Sequence, residues 1–169
     1  MPFLYLDDNT TSGLLLIPEP DILPVMQEWV SLGYQVNTHC IGDRANRLAL
    51  DAYEAILSGT FDDLRLRVEH AQIIAPDDIA RFARLGVLAS MQPTHVVSDM
   101  GYAESRIGPE RVLGAYAWRS LLDSGAHMPF GSDFPVEPVN PFLGIYAAVT
   151  RQDYNGEPFV RGNWLLLGV

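Results

Sequence analysis

The sequence predicts an α/β fold with a parallel sheet, and two patterns support this prediction. Short apolar, β-branched runs alternate with segments in which apolar residues recur at helical spacing. The helical segments often begin at Pro or an acidic residue and end at Gly, which are the usual start and stop signals. Strict alternation of strand and helix favours parallel strands joined by right-handed crossovers.

The predicted elements follow one another along the chain, starting with a helix. The helix at 76–86 is typical, with proline and two acidic residues in its first turn and Gly86 at its end. Helices are predicted at 18–33, 42–57, 76–86, 109–125 and 140–150. Strands are predicted at 34–39, 64–72, 87–95 and 127–136. The apolar tail at 159–169 carries no turn or cap signal and fits none of these elements.

Length and composition exclude several classes of protein. The 169 residues suit one domain, and we treat 1–169 as a single domain. The net charge is −10 and all eleven basic residues are arginine, so neither nucleic-acid binding nor a basic membrane surface is expected. The apolar runs are too short to cross a bilayer, and no secretory signal is recognised at the start. A single cysteine, Cys40, excludes an internal disulfide and predicts a reducing, cytoplasmic location.

Four consecutive predicted strands end in polar residues whose side chains can take part in catalysis or bind a metal: His39, His70, His95 and Asp133. In parallel α/β folds, the carboxyl ends of the strands and the loops that follow form the functional face. Imidazole nitrogen and carboxylate oxygen suit zinc, and also iron or manganese. The alternative is that the histidines are ordinary hydrogen-bonded residues at strand ends. The fourth histidine, His127, begins its strand on the opposite face and is interpreted as structural.

Residues beside these positions have simpler interpretations. Asp133 lies in the constrained segment GSDFPV, where a carboxylate is either a loop cap or a catalytic group. Glu69 points to the other side of its strand from His70, so an ion pair with an arginine is expected. By the same alternation Cys40 faces away from His39 and is predicted to be a buried, inert thiol. The sequence contains no nucleophile elbow, Walker loop or dinucleotide fingerprint.

Four motifs in this chain resemble those of a known family. They are THCIGDRAN, RVEHAQ, SMQPTH and GSDFPVEPVNPFLGIYAAVTRQD. From about residue 12 to 158 the chain resembles the amidohydrolase superfamily and, within it, the YtcJ-like metal-dependent hydrolases of amidohydrolase family 3. The resemblance implies a (β/α)8 TIM barrel with a metal centre at its C-terminal mouth. This chain would supply about the second half of that barrel, strands five to eight.

The resemblance also implies roles for individual residues. His39 and His70 match the metal-binding histidines of strands five and six, and Asp133 matches the strand-eight aspartate that contacts metal. His95 and Gln92 match the strand-seven segment, which implies that they line the substrate pocket. The implied cofactor is a divalent metal, zinc in the first place, and the implied substrate is a small molecule with an amide-type carbon–nitrogen bond outside peptides. Metal-activated water would attack, with Asp133 as the catalytic residue that accepts its proton and passes one to the leaving amine.

The chain departs from the family pattern at two positions. The family's first strand carries a His-x-His pair and its fourth strand commonly carries a bridging lysine, and this sequence contains neither. We therefore expect a fragment or truncated product with reduced or no activity alone. A half barrel also has two open edges and uncovered apolar surface, which favours self-association. The alternative function is a non-catalytic half barrel that acts through protein association.

Overall fold

A parallel three-stranded sheet lies at the centre of the fold. The computed structural model describes residues 4–59 and 63–159. Three strands pair side by side in sequence order: β1 (Asn37–Cys40), β2 (Arg67–His70) and β3 (Leu88–Ser90). Both pairings are parallel. The predicted α/β class and the parallel strand direction are therefore confirmed.

Helices connect and flank these strands. Within the described residues they are α1 (Glu19–Ser31), α2 (Asp43–Leu57), α3 (Pro76–Leu85), α4 (Thr94–Asp99), α5 (Ala103–Arg111), α6 (Trp118–Asp123) and α7 (Pro141–Thr150). Local signals explain α3, because a proline opens it and Gly86 ends it in the left-handed conformation, at a φ of 65°. They also explain α7. The Asn140 side chain caps the start of this helix by accepting a hydrogen bond from the Phe142 N–H at 3.1 Å. Four of the five predicted helices are confirmed to within a few residues.

One hydrophobic cluster joins the sheet to helices α2 and α3. Leu50 and Tyr53 of α2, Val68 of β2 and Phe82 of α3 are each 0% exposed. The Tyr53 hydroxyl donates to the Arg67 carbonyl oxygen at 2.9 Å, so this buried polar group has a partner. Burial stabilises each of the aliphatic and phenyl side chains by roughly 1.5–3 kcal/mol. The strands, and hence the residues at their ends, are held in a rigid frame.

The predicted fourth strand at 127–136 is wrong over its second half. Its first half runs beside β3: the Ala89 and Met91 N–H groups donate to the carbonyls of His127 and Pro129, each at 3.0 Å. The Gly131 N–H then donates back to the Met91 carbonyl at 3.0 Å. Residues 133–136 form a turn instead. Pro129 and Pro135 have no N–H to give to a ladder, which explains why regular pairing does not continue.

The strand predicted at 87–95 is also shorter than expected. β3 ends at Ser90, and Thr94 begins helix α4 after Pro93. Residues 94 and 95 are therefore helical, and His95 lies in the first turn of α4 rather than at the end of a strand. The prediction failed over residues 92–95, where Pro93 has no N–H for a strand ladder and already has helical φ and ψ angles.

The single helix predicted at 109–125 is wrong, because the chain breaks it into α5, a 3₁₀ turn at Val112–Gly114, and α6. Gly114 passes so close to Ile74 that a Cβ atom would lie 1.9 Å from the Ile74 carbonyl oxygen. The Ile74 N–H donates to the Gly114 carbonyl at 3.0 Å, and the Tyr116 N–H donates to the Gln72 carbonyl at 2.7 Å. These contacts with the segment after β2 replace helical hydrogen bonds.

Two further sequence predictions concern the chain as a whole. None of the helices in residues 4–59 and 63–159 combines the length and apolarity that crossing a membrane requires. The assignment of 1–169 to a single domain stays a prediction. Of the atypical tail at 159–169, residues 160–169 lie outside the described residues.

Candidate metal centre

The candidate site lies where the strands end. His39 is the third residue of β1, His70 is the last residue of β2, and Asp133 follows the segment that pairs with β3. His70 and Asp133 have positive φ angles of 78° and 59°, which residues with a side chain seldom adopt. Such backbone strain is concentrated at functional sites, where it aims particular side chains. Here it occurs at two of the residues that the sequence singled out.

His70, His95 and Asp133 are brought together in space. One candidate ligand atom from each lies within 4.8 Å of the others. The Nε2 atom of His95 is 3.8 Å from Oδ2 of Asp133. The imidazoles of His70 and His95 are stacked, with centroids 5.8 Å apart and planes 18° from parallel. Both rings are buried, whereas the Asp133 side chain is 38% exposed and can contact solvent.

His39 lies beside this group but is not part of it. Its ring meets the His70 ring edge-on, with centroids 4.4 Å apart and planes 72° apart. The residue is exposed on the edge strand β1. Desolvation lowers the pKa of His39, and the neighbouring His70 lowers it further. A neutral imidazole is the form that binds metals.

Gln92 contacts His70 directly. Its Oε1 atom lies 2.9 Å from Nδ1 of His70, and both residues are buried. An amide oxygen accepts hydrogen bonds and cannot donate them, so the proton of a neutral His70 ring is on Nδ1. The lone pair of the ring is then on Nε2. Gln92 thereby selects the tautomer of His70, in the way that outer partners orient metal-binding histidines.

The residues present fit a divalent metal ion. The Nε2 atom of His95 is buried and has no hydrogen-bond partner among the described residues. An unpaired buried ring nitrogen is costly, and a metal ligand bond is one way to satisfy it. Two imidazoles and a carboxylate form a donor set that suits zinc and other borderline divalent ions. The site thus has both the chemistry and an unsatisfied atom that a metal would use.

The predictions for Cys40 and Glu69 are confirmed, whereas the structural role of His127 stays a prediction. Cys40 is 2% exposed, and burial raises the pKa of its thiol to about 12, so it is an inert core residue. Glu69 forms an ion pair with Arg67, with Oε1 and Nε 2.6 Å apart. His127 is exposed, and its carbonyl accepts from the Ala89 N–H. The roles assigned to His39, His70, Asp133, His95 and Gln92 stay predictions.

Sequence reasoning missed a partly buried polar network near the site. The Asp99 carboxylate accepts hydrogen bonds from the hydroxyls of Tyr102 and Tyr116, and from Nε2 of Gln72 at 3.0 Å. Hydrogen bonding to Asp99, the largest contribution, raises the pKa of Tyr102 to about 12, so its hydroxyl remains a donor. Gln72 lies two residues beyond His70, and the network therefore anchors the turn that carries this histidine. No local sequence signal marks these residues, which come from three separate segments.

Comparisons with known proteins show which family this sequence resembles. The sequence matches the model of the amidohydrolase family over residues 3–166. It is 38% identical over 149 residues to the protein LONG AFTER FAR-RED 3 of Arabidopsis thaliana, a match that covers 87% of this chain and 26% of that protein. It is 35% identical over 150 residues to the Bacillus subtilis (strain 168) protein named "Putative amidohydrolase YtcJ", covering 88% of this chain and 28% of the relative. An N-substituted formamide deformylase of Arthrobacter pascens is 31% identical over 132 residues, covering 75% of this chain and 24% of that enzyme.

Solved structures show the same likeness. An uncharacterized metal-dependent hydrolase from Pyrococcus horikoshii OT3 superposes with a TM-score of 0.80 at 35% identity, covering 92% of this chain and 30% of that one. A similarly described hydrolase from Pyrococcus furiosus gives a TM-score of 0.77 at 36% identity, covering 91% and 32%. The chain spans about a quarter of the length of the curated relatives it matches. Because the family model matches nearly all of the sequence, this chain belongs to the amidohydrolase family of hydrolytic enzymes.

Proposed function

We propose that this chain carries the metal-binding side of a hydrolase that cleaves amide-type carbon–nitrogen bonds outside peptides. The observation that carries the proposal is the meeting of His70, at the end of β2, with His95 of α4 and Asp133 of the turn that follows residues 127–131. The formamide deformylase among the relatives, whose name describes action on N-substituted formamides, supports the bond type. A metal-dependent hydrolase among the similar structures supports the divalent metal. Zinc is the proposed ion, because imidazole and carboxylate are its common ligands.

The proposed architecture is the second half of a (β/α)8 barrel. Its support is the order of the sheet, in which β1, β2 and β3 are followed by the paired segment at 127–131. Helices α2 and α3 follow β1 and β2, as the repeating unit of such a barrel requires. The superposition on about 30% of a longer hydrolase agrees with a partial barrel. The site residues would then face the C-terminal mouth, where active sites of this architecture lie.

In the proposed mechanism His39, His70 and Asp133 hold the ion, as the family resemblance implies. A bound divalent ion supplies Lewis acidity, which polarises a carbonyl group and makes a water molecule more acidic. The Asp133 carboxylate is partly exposed and accepts the proton of the attacking water. It then protonates the leaving nitrogen, so the proton is returned within one turnover. His95, 3.8 Å from this carboxylate, is close enough to contact the same substrate atoms.

An apolar cavity beside the site supports a small-molecule substrate. It has a volume of about 330 Å³, and its lining includes Thr94, Phe130, Ser132, Val139 and Ile145. Thr94 and Ser132 of this lining are the sequence neighbours of His95 and Asp133. A ligand of ordinary metabolite size fits a cavity of this volume. The apolar walls favour a substrate whose amide carries a hydrophobic substituent.

The test is amide hydrolysis by the zinc-loaded chain. A panel of N-substituted formamides and other small amides is incubated with the protein, and the released amine is quantified. Asp133→Asn should lower the rate at least about 100-fold, because it removes the proton acceptor. His127→Ala changes an exposed histidine away from the site and should leave the rate unchanged. Equal rates for the wild type and Asp133→Asn would contradict the proposed mechanism.

A second candidate function is association without catalysis, and exposed apolar side chains favour it. Phe134, Val136, Val139 and Phe142 are each at least 66% exposed on the segment after the site. We propose a second copy of this chain as the partner, since it would bring a matching open edge. Sedimentation velocity of the purified chain, with Phe142→Asp as the comparison, tests this directly. A wild-type dimer that Phe142→Asp dissociates is expected, and a monomer at high concentration would contradict it.

The cytoplasmic location stays a prediction from the sequence. Its support is the free, buried Cys40 within a chain that has one cysteine. The small-molecule substrate and the absence of a nucleic-acid partner are likewise predictions, the second from the acidic net charge of −10.

A further inference from the structure

We propose that Asp99 is a positioning residue, which fixes the rotation of helix α4 and so places the imidazole of His95 against that of His70. The inference rests on the proposed function only for its effect on catalysis, because the placement of the two rings can be measured without substrate or metal. It leaves the proposed metal ligands as they are. Neither the sequence patterns nor the resemblance to the family assigns a role to Asp99.

Asp99 and His95 lie on the same face of α4. The helix runs from Thr94 to Asp99, so Asp99 follows His95 by about one helical turn. His95 is in the first turn and stacks on His70, with ring centroids 5.8 Å apart and planes 18° from parallel. A rotation of α4 that moves Asp99 therefore moves the His95 ring with it.

The segment that follows β2 contacts both ends of α4. The Gln72 side chain donates from Nε2 to the Asp99 carboxylate at 3.0 Å. The Gln72 backbone is itself fixed, because its carbonyl accepts from the Tyr116 N–H at 2.7 Å. The first and last turns of α4 thus contact the same short segment, at residues 70 and 72. This arrangement relates the position of His95 to that of His70.

Two tyrosine hydroxyls complete the hydrogen bonds to Asp99. Tyr116 donates to Oδ2, the oxygen that also accepts from Gln72, and Tyr102 donates to Oδ1. Tyr116 is buried, and burial raises the pKa of its hydroxyl, so this group remains a donor at neutral pH. Hydrogen bonds to a carboxylate are roughly twice as strong as those between neutral groups. Asp99 therefore accepts three directional contacts, which define where the end of α4 lies.

Apolar contact alone does not fix the rotation of α4. Val96 is buried in the hydrophobic cluster, but the hydrophobic effect is non-directional. The N-cap residue is Pro93, whose side chain has no hydrogen-bonding group, and a six-residue helix is not stable in isolation. The hydrogen bond from Ser98 to Glu137 is exposed, so water competes with it. Without the bonds to Asp99, we expect α4 to stay attached through Val96 and to lose its single orientation.

The experiment is nuclear magnetic resonance of the full 169-residue chain in its metal-free form. In the wild type, the stacked rings of His70 and His95 should give a nuclear Overhauser effect between their ring protons. Asp99→Leu removes both acceptor oxygens while nearly conserving volume, and it should abolish this effect. Asp99→Asn keeps one acceptor oxygen and should weaken it. The absence of the effect in the wild type would contradict the inference at once.

Val96→Ala is the matched control, because it weakens the apolar contact of the same helix and leaves Asp99 in place. It should lower the midpoint of thermal melting and keep the Overhauser effect, so it separates loss of stability from loss of position. All spectra are recorded well below the melting midpoint of each variant. A wild-type effect in Asp99→Leu overturns the inference, as does an equal loss in Val96→Ala. Where Asp99→Leu does not fold, Asp99→Asn decides by the same criterion.

Kinetics connect the inference with the proposed function and keep the two separable. In the zinc-loaded protein, Asp99→Asn should raise KM for small amides about 10-fold and leave kcat within about 3-fold, because the displaced His95 borders the substrate. An unchanged KM would overturn this consequence for substrate binding. A wild-type protein that hydrolyses no amide would contradict the proposed function, whereas the Overhauser effects would still decide whether Asp99 places His95.

Discussion

The imidazole Nδ1 atom of His70 lies 2.9 Å from the amide Oε1 atom of Gln92, although the two residues are 22 positions apart in the chain. Both side chains are buried, so water does not offer a ready substitute for either partner. This contact fixes which nitrogen of His70 can face an ion. In the proposed metal site Gln92 would act as a positioning residue for His70, a role that can be measured separately from substrate binding.

Replacing Gln92 tests that role. Gln92→Leu removes the acceptor while nearly conserving volume, and zinc affinity should fall about 10–100-fold, as for other partners of metal-binding histidines. Gln92→Glu keeps an acceptor at the same position and should retain affinity close to that of the wild type. Zinc titration measures the affinity, and the ¹⁵N shifts of the metal-free protein report the His70 tautomer. An unchanged tautomer and affinity in Gln92→Leu would show that the contact has no such role.

Gly114 should be intolerant of any side chain. Gly114→Ala would place a Cβ atom 1.9 Å from the Ile74 carbonyl oxygen, which is backbone and cannot rotate away. We expect a loss of at least about 3 kcal/mol in the free energy of unfolding, or failure to fold. Gly144→Ala is the matched control, because Gly144 lies inside α7 with no atom within 4 Å of the new methyl group. This control should be more stable by about 0.5–1 kcal/mol, and urea denaturation measures both changes.

Arg151 should be required for stability in spite of the cost of burying its charge. Its guanidinium donates to the carbonyls of Ala115 and Tyr116 and lies 5.1 Å from the centroid of the Trp118 ring. Arg151→Met removes these donors from a buried site and should lower the free energy of unfolding by about 2–4 kcal/mol. Arg119→Met, which removes an exposed ion pair, should cost less than about 1 kcal/mol. Equal losses in urea denaturation of the two variants would contradict this account.

Cys40 should make the protein less stable at alkaline pH. Burial raises the pKa of the thiol from 9.0 to about 12. Between these values the unfolded state loses the proton while the native state keeps it, so rising pH favours unfolding. The free energy of unfolding should fall with a slope that approaches about 1.4 kcal/mol per pH unit between pH 9 and pH 12.

The control is Cys40→Ala, which lacks the titrating group. Its free energy of unfolding should be lower than that of the wild type at pH 8, because a buried sulfur is lost. The difference between the two proteins should then narrow from pH 9 to pH 11. Urea denaturation under reducing conditions measures it at each pH. A constant difference across this range would show that the thiol does not contribute.

Local patterns were sufficient for most of the secondary structure. The helical spacing of apolar residues and the Pro and Gly signals of α3 lie within one segment, so they can be read without knowing the fold. The same patterns failed at 109–125, because the contact between Gly114 and Ile74 comes from a separate segment. They also failed at His95, because Pro93 ends the strand and the chain enters helix α4 directly after it.

The sequence alone also identified the α/β class, the amidohydrolase family and the three residues His70, His95 and Asp133 that lie together in the structure. These properties depend on residue type, order and period, which are present in the unfolded chain. Tertiary structure alone shows the stacking of His70 on His95, the unpartnered Nε2 atom, and the tautomer imposed by Gln92. Such features depend on distances between residues remote in sequence and on side-chain rotation. They exist only once packing has placed the rings and excluded water.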